Sequence, residues 1–241
     1  MGAVLISVVI IFLLSSVLFI SSSLQDTLLK TVQKEADFTV QRVQAGKAVA
    51  TPRSWIDKIM EIDGVTQVSS RVYGRYFFAP REHAFLIVGI DFFDEQSSQL
   101  LQSLLKDLDL KSFLSQESMI IGSGVKSFLE KHYYKEYFTF KTPQGTFKKV
   151  AIAQSFSKEE NLLANDMILM PIDLAREIFG MNEEEVTDIT FSVPNDAEWD
   201  NIVSKLHLLF YDVRVIEKRE VKKHMKIFIT IKEGSSLCFI L

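Results

Sequence analysis

The sequence has 241 residues, of which 47% are hydrophobic and 24% charged, and its formal net charge is −4. Its 19 Phe and many aliphatic residues exclude an intrinsically disordered chain, and its single cysteine, Cys238, excludes an intrachain disulfide. The negative balance argues against a nucleic-acid partner, which usually meets a basic face. Residues 1–25 contain no Asp, Glu, Lys, Arg or His, so every charged side chain lies in the remainder. These features predict a folded domain tethered to a membrane.

The first segment, residues 1–25, is predicted to be a transmembrane helix. The apolar run from residue 3 to residue 20 would rise about 27 Å as a helix, which suffices for a thin hydrocarbon core. A cleaved signal peptide is the rival interpretation, but it needs a basic start and a shorter apolar stretch. A pilin-type assembly helix would need a buried acidic residue, which this run does not contain. Residues 26–35 are predicted to continue as a helical stalk.

The body begins with a first βαβ unit within residues 36–91. Alternation predicts a strand at 36–43 and an apolar stripe predicts a helix at 53–62, with Thr51 as its N-cap. The helix stripe contains Trp55, Ile56, Ile59 and Met60. Two further strands, 68–78 and 84–91, form a predicted hairpin.

Residues 92–182 are predicted to be an inserted lobe. Its expected elements are an amphipathic helix at 97–108, a strand at 118–121, a helix opened by Gly122-Ser123-Gly124, a hairpin of strands 137–141 and 147–156 around the turn Thr142–Gly145, a strand at 167–170, and a helix from Pro171 to Gly180.

Residues 183–216 resemble the first βαβ unit in the order of their elements. A strand at 186–193 is followed by a helix at 196–210 with Trp199 early in it, and then by a strand at 212–216. Because the first unit also places a Trp early in its helix, the two units are expected to pair in one sheet around the insertion. The predicted fold class is α+β: an N-terminal transmembrane helix, then a two-lobed domain built from two βαβ halves and an inserted α+β lobe.

The last segment, residues 217–241, is predicted to be a basic stalk helix leading into a second, truncated transmembrane segment. From Arg214 onward the chain has seven Lys and Arg against three Glu, before it turns apolar at the end. The positive-inside rule would place this end in the cytoplasm, but the rule weakens for long translocated domains, so charge leaves the orientation open.

Motifs that would carry chemistry are sparse. Gly122-Ser123-Gly124 follows a strand and opens a helix, as in phosphate-binding turns, but a tight structural turn explains it as well. Gly46-Lys47 lacks the rest of a Walker A motif.

The histidines His83, His132, His207 and His224 are not spaced as metal ligands, and His132 and His207 are expected at the edges of helix cores. The acidic groups Asp91, Asp94 and Glu95, and Glu183–Glu185, are interpreted as solvated turns. We therefore predict no catalytic, cofactor-binding or metal-binding residues, no cofactor and no enzyme activity.

The order of several short motifs resembles the extracytoplasmic core domain of FtsX-like ABC transporter permeases, a family that includes MacB and the lipoprotein-releasing permeases LolC and LolE. The matching pieces are Asp63-Gly64-Val65 with Val68 and Arg71, Val88–Asp91, Ile120–Gly124, Lys149–Ile152, Asp166–Pro171, Thr187–Phe191 and, closest to the LolC/LolE branch, Phe228–Glu233.

The resemblance implies a membrane permease subunit whose porter-like periplasmic domain couples ATP hydrolysis to movement of a lipoprotein, lipid or other exported substrate. It implies as partners a separate ABC ATPase subunit, the lipid bilayer, a periplasmic substrate or partner protein, and a second permease in a homo- or heterodimer. The location would be the bacterial inner membrane, with most of the chain in the periplasm. Family members have three further spans, so the resemblance implies that this chain is truncated, either as a fragment of a longer permease or naturally. The alternative is a membrane-anchored extracytoplasmic sensor domain, and a third class is a signal-anchored hydrolase.

Overall fold

The computed structural model describes residues 36–91, 117–156 and 165–223, together with Phe113 and residues 4, 6, 8–13, 15, 16, 19 and 23. The chain divides into two compact units, residues 1–38 with 216–241 and residues 39–215. The predicted stalk at 26–35, the helix at 97–108 and all of 224–241 lie outside the described residues. The predicted transmembrane segment 1–25 is only partly described.

The first unit contains helical residues near the N-terminus and the junction at Asp37. The described residues between 4 and 23 are helical, and their large apolar side chains are exposed, with Phe12 at 71%. Within the described residues, no helix combines the length and apolarity needed to cross a membrane. At the junction, the Lys218 backbone N–H donates to the Asp37 carbonyl at 2.8 Å, and Lys218 Nζ donates to Asp37 Oδ1 at 3.2 Å. Residues 218–223 are helical.

Besides the helical residues near the two chain ends, twelve strands and four α-helices have defined bounds within the described residues. The strands are β1 Phe38–Gln44, β2 Lys47–Val49, β3 Thr51–Pro52, β4 Thr66–Phe78, β5 His83–Ile90, β6 Ser118–Ile121, β7 Tyr137–Lys141, β8 Phe147–Ser155, β9 Met167–Pro171, β10 Glu185–Val186, β11 Asp188–Ser192 and β12 Val213–Glu217. The helices are α1 Trp55–Met60, α2 Ser123–Lys131, α3 Ile172–Phe179 and α4 Trp199–Leu209.

Nine of these strands form a mixed sheet in the order β12-β1-β11-β4-β5-β9-β6-β8-β7, and β2 pairs with β1. The strands of the two βαβ units interleave at one end, as β12-β1-β11-β4, which is the order of a ferredoxin-like split βαβ arrangement. The strands of residues 117–171 continue the same sheet, because β9 pairs in parallel with β5. The division at 92 and 183 into lobes stays a prediction.

Both predicted tryptophan helices have buried tryptophans. Trp55 is 8% exposed and stacks on Phe210 with ring centroids 4.0 Å apart. Trp199 is 7% exposed, and its Nε1 donates to the carbonyl of Val193 at 3.1 Å. The two aromatic anchors therefore bury large apolar surfaces while satisfying the indole donor of Trp199.

An aromatic cluster lies on the core side of the other end of the sheet. Phe138 on β7 contacts Phe78 at 5.1 Å, Phe85 at 5.8 Å and Phe140 at 4.9 Å between ring centroids, all in edge-to-face geometry. The Tyr76 ring packs on Phe140 at 5.0 Å. These contacts pack the edge strand β7 against the end of β4.

The residues at which helix α3 begins and ends are determined by local sequence signals. Its N-cap is Pro171, and its C-cap is Gly180, whose φ of 68° lies in the left-handed region that glycine adopts without strain. Close packing is the reason for a second glycine, since a Cβ built on Gly89 would lie 2.9 Å from Ala175 Cβ and 3.1 Å from Ile172 Cα. The helix therefore lies directly on the backbone of β5.

Several predicted details are wrong. Thr51 does not cap a helix: Thr51–Pro52 is a short strand that pairs with Glu185–Val186, and α1 starts after Ser54. Met60 is 63% exposed and lies off the core stripe. The predicted strand at 186–193 is two strands, β10 and β11, broken at Thr187.

Candidate functional site

Strand β4 changes its pairing partner midway along its thirteen residues. Residues Thr66–Arg71 pair antiparallel with β11, and residues Val72–Phe78 pair antiparallel with β5. One continuous strand thus belongs to the interleaved βαβ strands and to the strands that follow them. The point of change, between Arg71 and Val72, is surrounded by polar side chains that we term the β4 clamp: Gln41, Thr51, Arg71, Tyr73, Thr187 and Asp188.

An ion pair forms the centre of the β4 clamp. Arg71 Nε donates to Asp188 Oδ1 at 2.7 Å and Arg71 NH2 donates to Oδ2 at 2.8 Å, a bidentate arrangement. The Asp188 side chain is 0% exposed, whereas that of Arg71 keeps 35% of its surface in solvent. The residues lie on neighbouring strands as directly opposite partners in the β4–β11 register.

Tyr73 completes the carboxylate's shell. Its hydroxyl donates to Asp188 Oδ2 at 2.8 Å, and Gln41 Nε2 lies 3.5 Å from the same hydroxyl as donor. Burial, followed by the negative charge of Asp188, raises the pKa of Tyr73 to about 12, because an ionised phenolate would be desolvated beside a carboxylate. Tyr73 is therefore a neutral hydrogen-bond donor throughout the physiological pH range.

At the break between β10 and β11, the Thr187 side chain makes the hydrogen bonds to β4 that a strand backbone would otherwise make. Its Oγ1 accepts from the Tyr73 backbone N–H at 3.0 Å and donates to the Tyr73 carbonyl at 3.0 Å. Its own backbone N–H donates to the Arg71 carbonyl at 2.8 Å. The buried Thr51 hydroxyl accepts from the Arg42 N–H at 3.0 Å and donates to the Thr187 carbonyl at 3.3 Å. The break in the strand thus leaves these backbone groups bonded.

A second charged cluster lies near the other end of the sheet. Lys148 Nζ pairs with Glu177 Oε2 of α3 at 2.8 Å and with Glu117 Oε1. The hydrogen bonds that the Lys148 ammonium donates, first to Glu117 and then to Glu177, raise the pKa of Lys148 above its usual value. The ammonium group connects β8, α3 and the residue before β6.

The predicted Gly122–Gly124 turn does open α2, with Gly122 as the N-cap. The first helical amides are taken by the protein itself, because the N–H groups of Gly124 and Val125 donate to the Asn165 carbonyl at 3.0 and 3.3 Å. A Cβ on Gly124 would lie 2.5 Å from Asp166 Oδ1. The glycine therefore allows residues 165–166 to approach the helix, where a phosphate would otherwise sit.

The predicted histidines fall in different surroundings. His83 stacks on Phe128 at 4.3 Å, and His132 lies 4.4 Å from the same ring, with its Nδ1 2.8 Å from the Phe128 carbonyl. His207 is exposed on α4, so its expected place at a core edge is wrong. His224 lies outside the described residues.

The acidic groups also separate. Asp91 follows β5, whereas Asp94 and Glu95 lie outside the described residues. Glu185 belongs to β10 and its Oε2 accepts from the Asn182 N–H at 3.0 Å, so the predicted solvated run Glu183–Glu185 is in part a strand. The described part of the chain contains no group of three or more His, Cys, Asp or Glu that could hold a metal ion.

One cleft of about 200 Å³ lies beside α2. Its apolar wall includes Ile121, Leu129 and Ile152, and its polar lining includes Lys126 and Gln154. It is separate from the β4 clamp.

The arrangement of the β4 clamp suits holding strands together. The Asp188 carboxylate already accepts three hydrogen bonds from Arg71 and Tyr73, and the Thr187 hydroxyl is already bonded to both the backbone N–H and the carbonyl of Tyr73. Arg71 and Asp188 appear in the motifs quoted above, but their pairing was not predicted. The available signal was the presence of a charged residue inside each of two otherwise strand-forming segments.

The likenesses that the comparisons with known proteins give are weak, and all are to solved structures. No protein-family model and no curated protein matches the chain. Among solved structures, the chain is similar to the periplasmic region of MacB from Actinobacillus actinomycetemcomitans, with 9% identity, a TM-score of 0.47, and coverage of 83% of this chain and 98% of that one. It is also similar to the extracellular domain of the noncanonic ABC-type transporter YknZ from Gram-positive bacteria, with 12% identity, a TM-score of 0.42, and coverage of 75% and 99%. At these values neither likeness assigns the chain to a family.

Proposed function

We propose that the chain is the extracytoplasmic part of an ABC transporter permease, which passes motion from a cytoplasmic ATPase to an exported substrate or partner protein. The protein itself would hydrolyse nothing. The proposal rests on the order of motifs shared with FtsX-like permeases and on one structural observation, the closure between Asp37 and Lys218.

The closure brings together the two points where the chain enters and leaves its sheet. Asp37 precedes β1 and Lys218 follows β12, and a backbone hydrogen bond and an ion pair connect them. First and last strands that end side by side suit a domain inserted between two membrane spans, because both of its ends then face the same membrane. The helical residues 218–223 that follow β12 are consistent with a stalk that receives motion from a membrane span.

Strand β4 supports the proposal by providing a path through the body. Because it pairs first with β11 and then with β5, a displacement of the interleaved strands is carried by a continuous backbone to the strands beyond. The β4 clamp fixes the point where the pairing changes. These features suit a mechanical element, for which stiffness matters more than a reactive cleft.

The experiment breaks the proposed stalk in the complete permease, expressed with its ATPase. Met225→Pro should interrupt the proposed stalk helix across 219–232, whose residues from 224 onward lie outside the described part of the chain, at a local cost of about 3 kcal/mol, while Met225→Ala is the matched control that would keep it. Transport should fall in the proline variant alone, with membrane insertion and ATPase binding retained. Unchanged transport would contradict the stalk, and ATP hydrolysis by the purified 241-residue chain would contradict the assignment as a non-enzymatic subunit.

Location is tested separately with a single cysteine at Tyr133, which is 87% exposed, after Cys238 is replaced by Ser. A membrane-impermeant thiol reagent should label it in intact spheroplasts. Labelling only after lysis would place the body in the cytoplasm. A complete gene that continues into a kinase instead of further spans would favour the sensor alternative.

A further inference from the structure

The hairpin of β7 and β8 forms the end of the sheet and has two different sides. Its register places Tyr137 opposite Ala151, Thr139 opposite Lys149 and Lys141 opposite Phe147. Because alternate residues of a strand point to opposite sides, these six share one side. The intervening Phe138, Phe140 and Val150 are buried, which identifies their side as the core side.

The outer side of this hairpin combines aromatic and basic residues. Phe147 is 72% exposed and Tyr137 43%, and the Lys149 ammonium lies 3.6 Å from the centroid of the Tyr137 ring. Lys141 is also exposed. Neither Lys141 nor Lys149 pairs with a carboxylate within the part of the chain that the structure describes. Residues 137–156 contain three Lys and no Asp or Glu, although the whole chain is negatively charged.

The backbone of β7 is open along the same stretch. β7 is the last strand in the sheet order, and β8 is its only neighbour among the described strands. The bonds from Ile152 N–H to Glu136 and from Thr142 N–H to Thr146 mark the positions that face β8. Alternation then turns the peptide groups of Tyr137, Thr139 and Lys141 away from β8.

One of the outward backbone N–H groups already has a hydrogen-bond acceptor within the protein. The Lys141 N–H donates to the Tyr76 hydroxyl at 2.7 Å, which also confirms the outward direction of this set. Among the described residues, no strand pairs with the outward peptide groups of Tyr137 and Thr139, so these groups can pair with an added strand. An added strand on this edge would place alternate side chains beside Tyr137, Thr139 and Lys141, and close to the Lys149 ammonium, which reaches from β8 over the Tyr137 ring.

We propose that the β7 edge is a docking site for an extended acidic segment of a partner protein, which adds a strand to the sheet and places carboxylates against Lys141 and Lys149. Backbone pairing supplies affinity in such complexes and alternate side chains supply specificity. The lysines provide the charge complementarity, and they also disfavour pairing with a second β7 edge, because like charges would meet. The inference goes beyond the transport proposal and does not depend on it.

An anionic membrane surface would also attract exposed lysines and aromatic rings. Binding to a membrane would not depend on the outward peptide groups, because lipid headgroups do not form the backbone hydrogen bonds of a β-strand. Removing the Thr139 backbone N–H should therefore weaken the binding of a peptide strand but not the binding of a membrane.

The test uses the full chain in detergent micelles and a fluorescein-labelled peptide, Ser-Glu-Val-Glu-Val-Glu-Val-Ser. Thr139→Pro removes an outward N–H, a change that edge strands tolerate, while Thr139→Ala is the control that keeps it. We expect Thr139→Pro to weaken peptide binding by up to about tenfold, the upper end of the effect of losing one net hydrogen bond. Thr139→Ala should bind as the original chain does. Unchanged thermal unfolding of Thr139→Pro would show that the fold persists.

Charge is tested with Lys141→Glu/Lys149→Glu against Lys47→Glu/Lys131→Glu, which changes the net charge equally at exposed sites elsewhere. Only the first pair should abolish binding. A peptide whose four central amides are N-methylated should bind weakly. Equal binding of that peptide, or of Thr139→Pro, would overturn strand addition. A different outcome would assign the face to a membrane. In that case the chain would bind phosphatidylglycerol vesicles but not the peptide, and vesicle binding would be lost in Lys141→Glu/Lys149→Glu but kept in Thr139→Pro.

Discussion

The ion pair between Arg71 and Asp188 is asymmetric in its access to water. The Arg71 side chain keeps about a third of its surface in solvent, whereas that of Asp188 keeps none. Removing Arg71 leaves a buried carboxylate that water cannot reach, while removing the charge of Asp188 leaves a guanidinium that can still be hydrated. The two partners therefore contribute unequally when each is lost alone.

We predict that Arg71→Met destabilises the protein by about 3–5 kcal/mol and Asp188→Asn by about 1–3 kcal/mol. Urea unfolding monitored by circular dichroism would measure both free energies. The double variant should cost less than the sum, since the residues form one pair. Equal losses for the two single variants would contradict the asymmetry.

Tyr73 should give the protein a stability change at alkaline pH. The pKa of Tyr73 is raised to about 12 in the folded protein and is about 10 when unfolded. Its contribution is therefore complete below pH 10 and is lost between about pH 10 and 12, because the unfolded chain ionises first. Unfolding free energies measured across this range should fall for the original chain and fall less for Tyr73→Phe. Parallel pH curves for the two proteins would argue against a buried phenol.

At the scale of elements, the contact between α3 and β5 is set by backbone proximity. Gly89 of β5 leaves no room for a Cβ against Ala175 and the backbone of Ile172. The helix can come this close only because Ala175 is also small. A glycine in this strand is thus required by packing, with no need for an unusual φ.

Gly89→Ala should destabilise the protein by about 1–3 kcal/mol, because α3 would have to move away from the sheet. Adding Ala175→Gly should restore part of the loss by removing the nearer methyl group, less the cost of a helical glycine. Thermal unfolding of the three variants would measure this. If Gly89→Ala unfolds at the same temperature as the original chain, α3 does not approach β5 this closely.

Elements bounded by local signals could be predicted from the sequence. The helix from Pro171 to Gly180 and the strand at 118–121 agree closely with α3 and β6. Thr51 is different, because its helix-capping pattern is local while its actual bonds run to Thr187, and long-range pairing with β10 prevails. The break at Thr187 is likewise set by Tyr73, which is distant in sequence. The β4 clamp could not be predicted because nothing in either strand specifies the register that makes Arg71 and Asp188 partners.

For the whole of residues 39–215, β4 implies cooperative unfolding. Both tryptophans lie near the interleaved strands, so their fluorescence reports that end of the sheet. Val150 on β8 is fully buried and reports the other end if it is replaced by Cys, with Cys238 changed to Ser. Because β4 pairs with both groups of strands, loss of either group removes half of its partners.

We predict that tryptophan fluorescence and the reactivity of the Val150→Cys thiol change at the same urea concentration. The measurement is a pair of equilibrium titrations on one sample. An Arg71→Met background should shift both midpoints together. Two separated transitions would show that the ends of the sheet unfold independently and that β4 does not unite them.

The bonds that join Asp37 to Lys218 have a directional consequence. Pulling the two chain ends apart would break the contacts between β1 and β12 one at a time from this end, like a zipper, which requires little force at each step. Moving both ends in the same direction would strain none of these contacts and would load the whole sheet at once. The domain should therefore yield easily when Asp37 and Lys218 are pulled apart and resist when both are displaced in the same direction. If the proposed stalks exist, their common displacement would be transmitted to the sheet, whereas their separation would be taken up by the contact between Asp37 and Lys218.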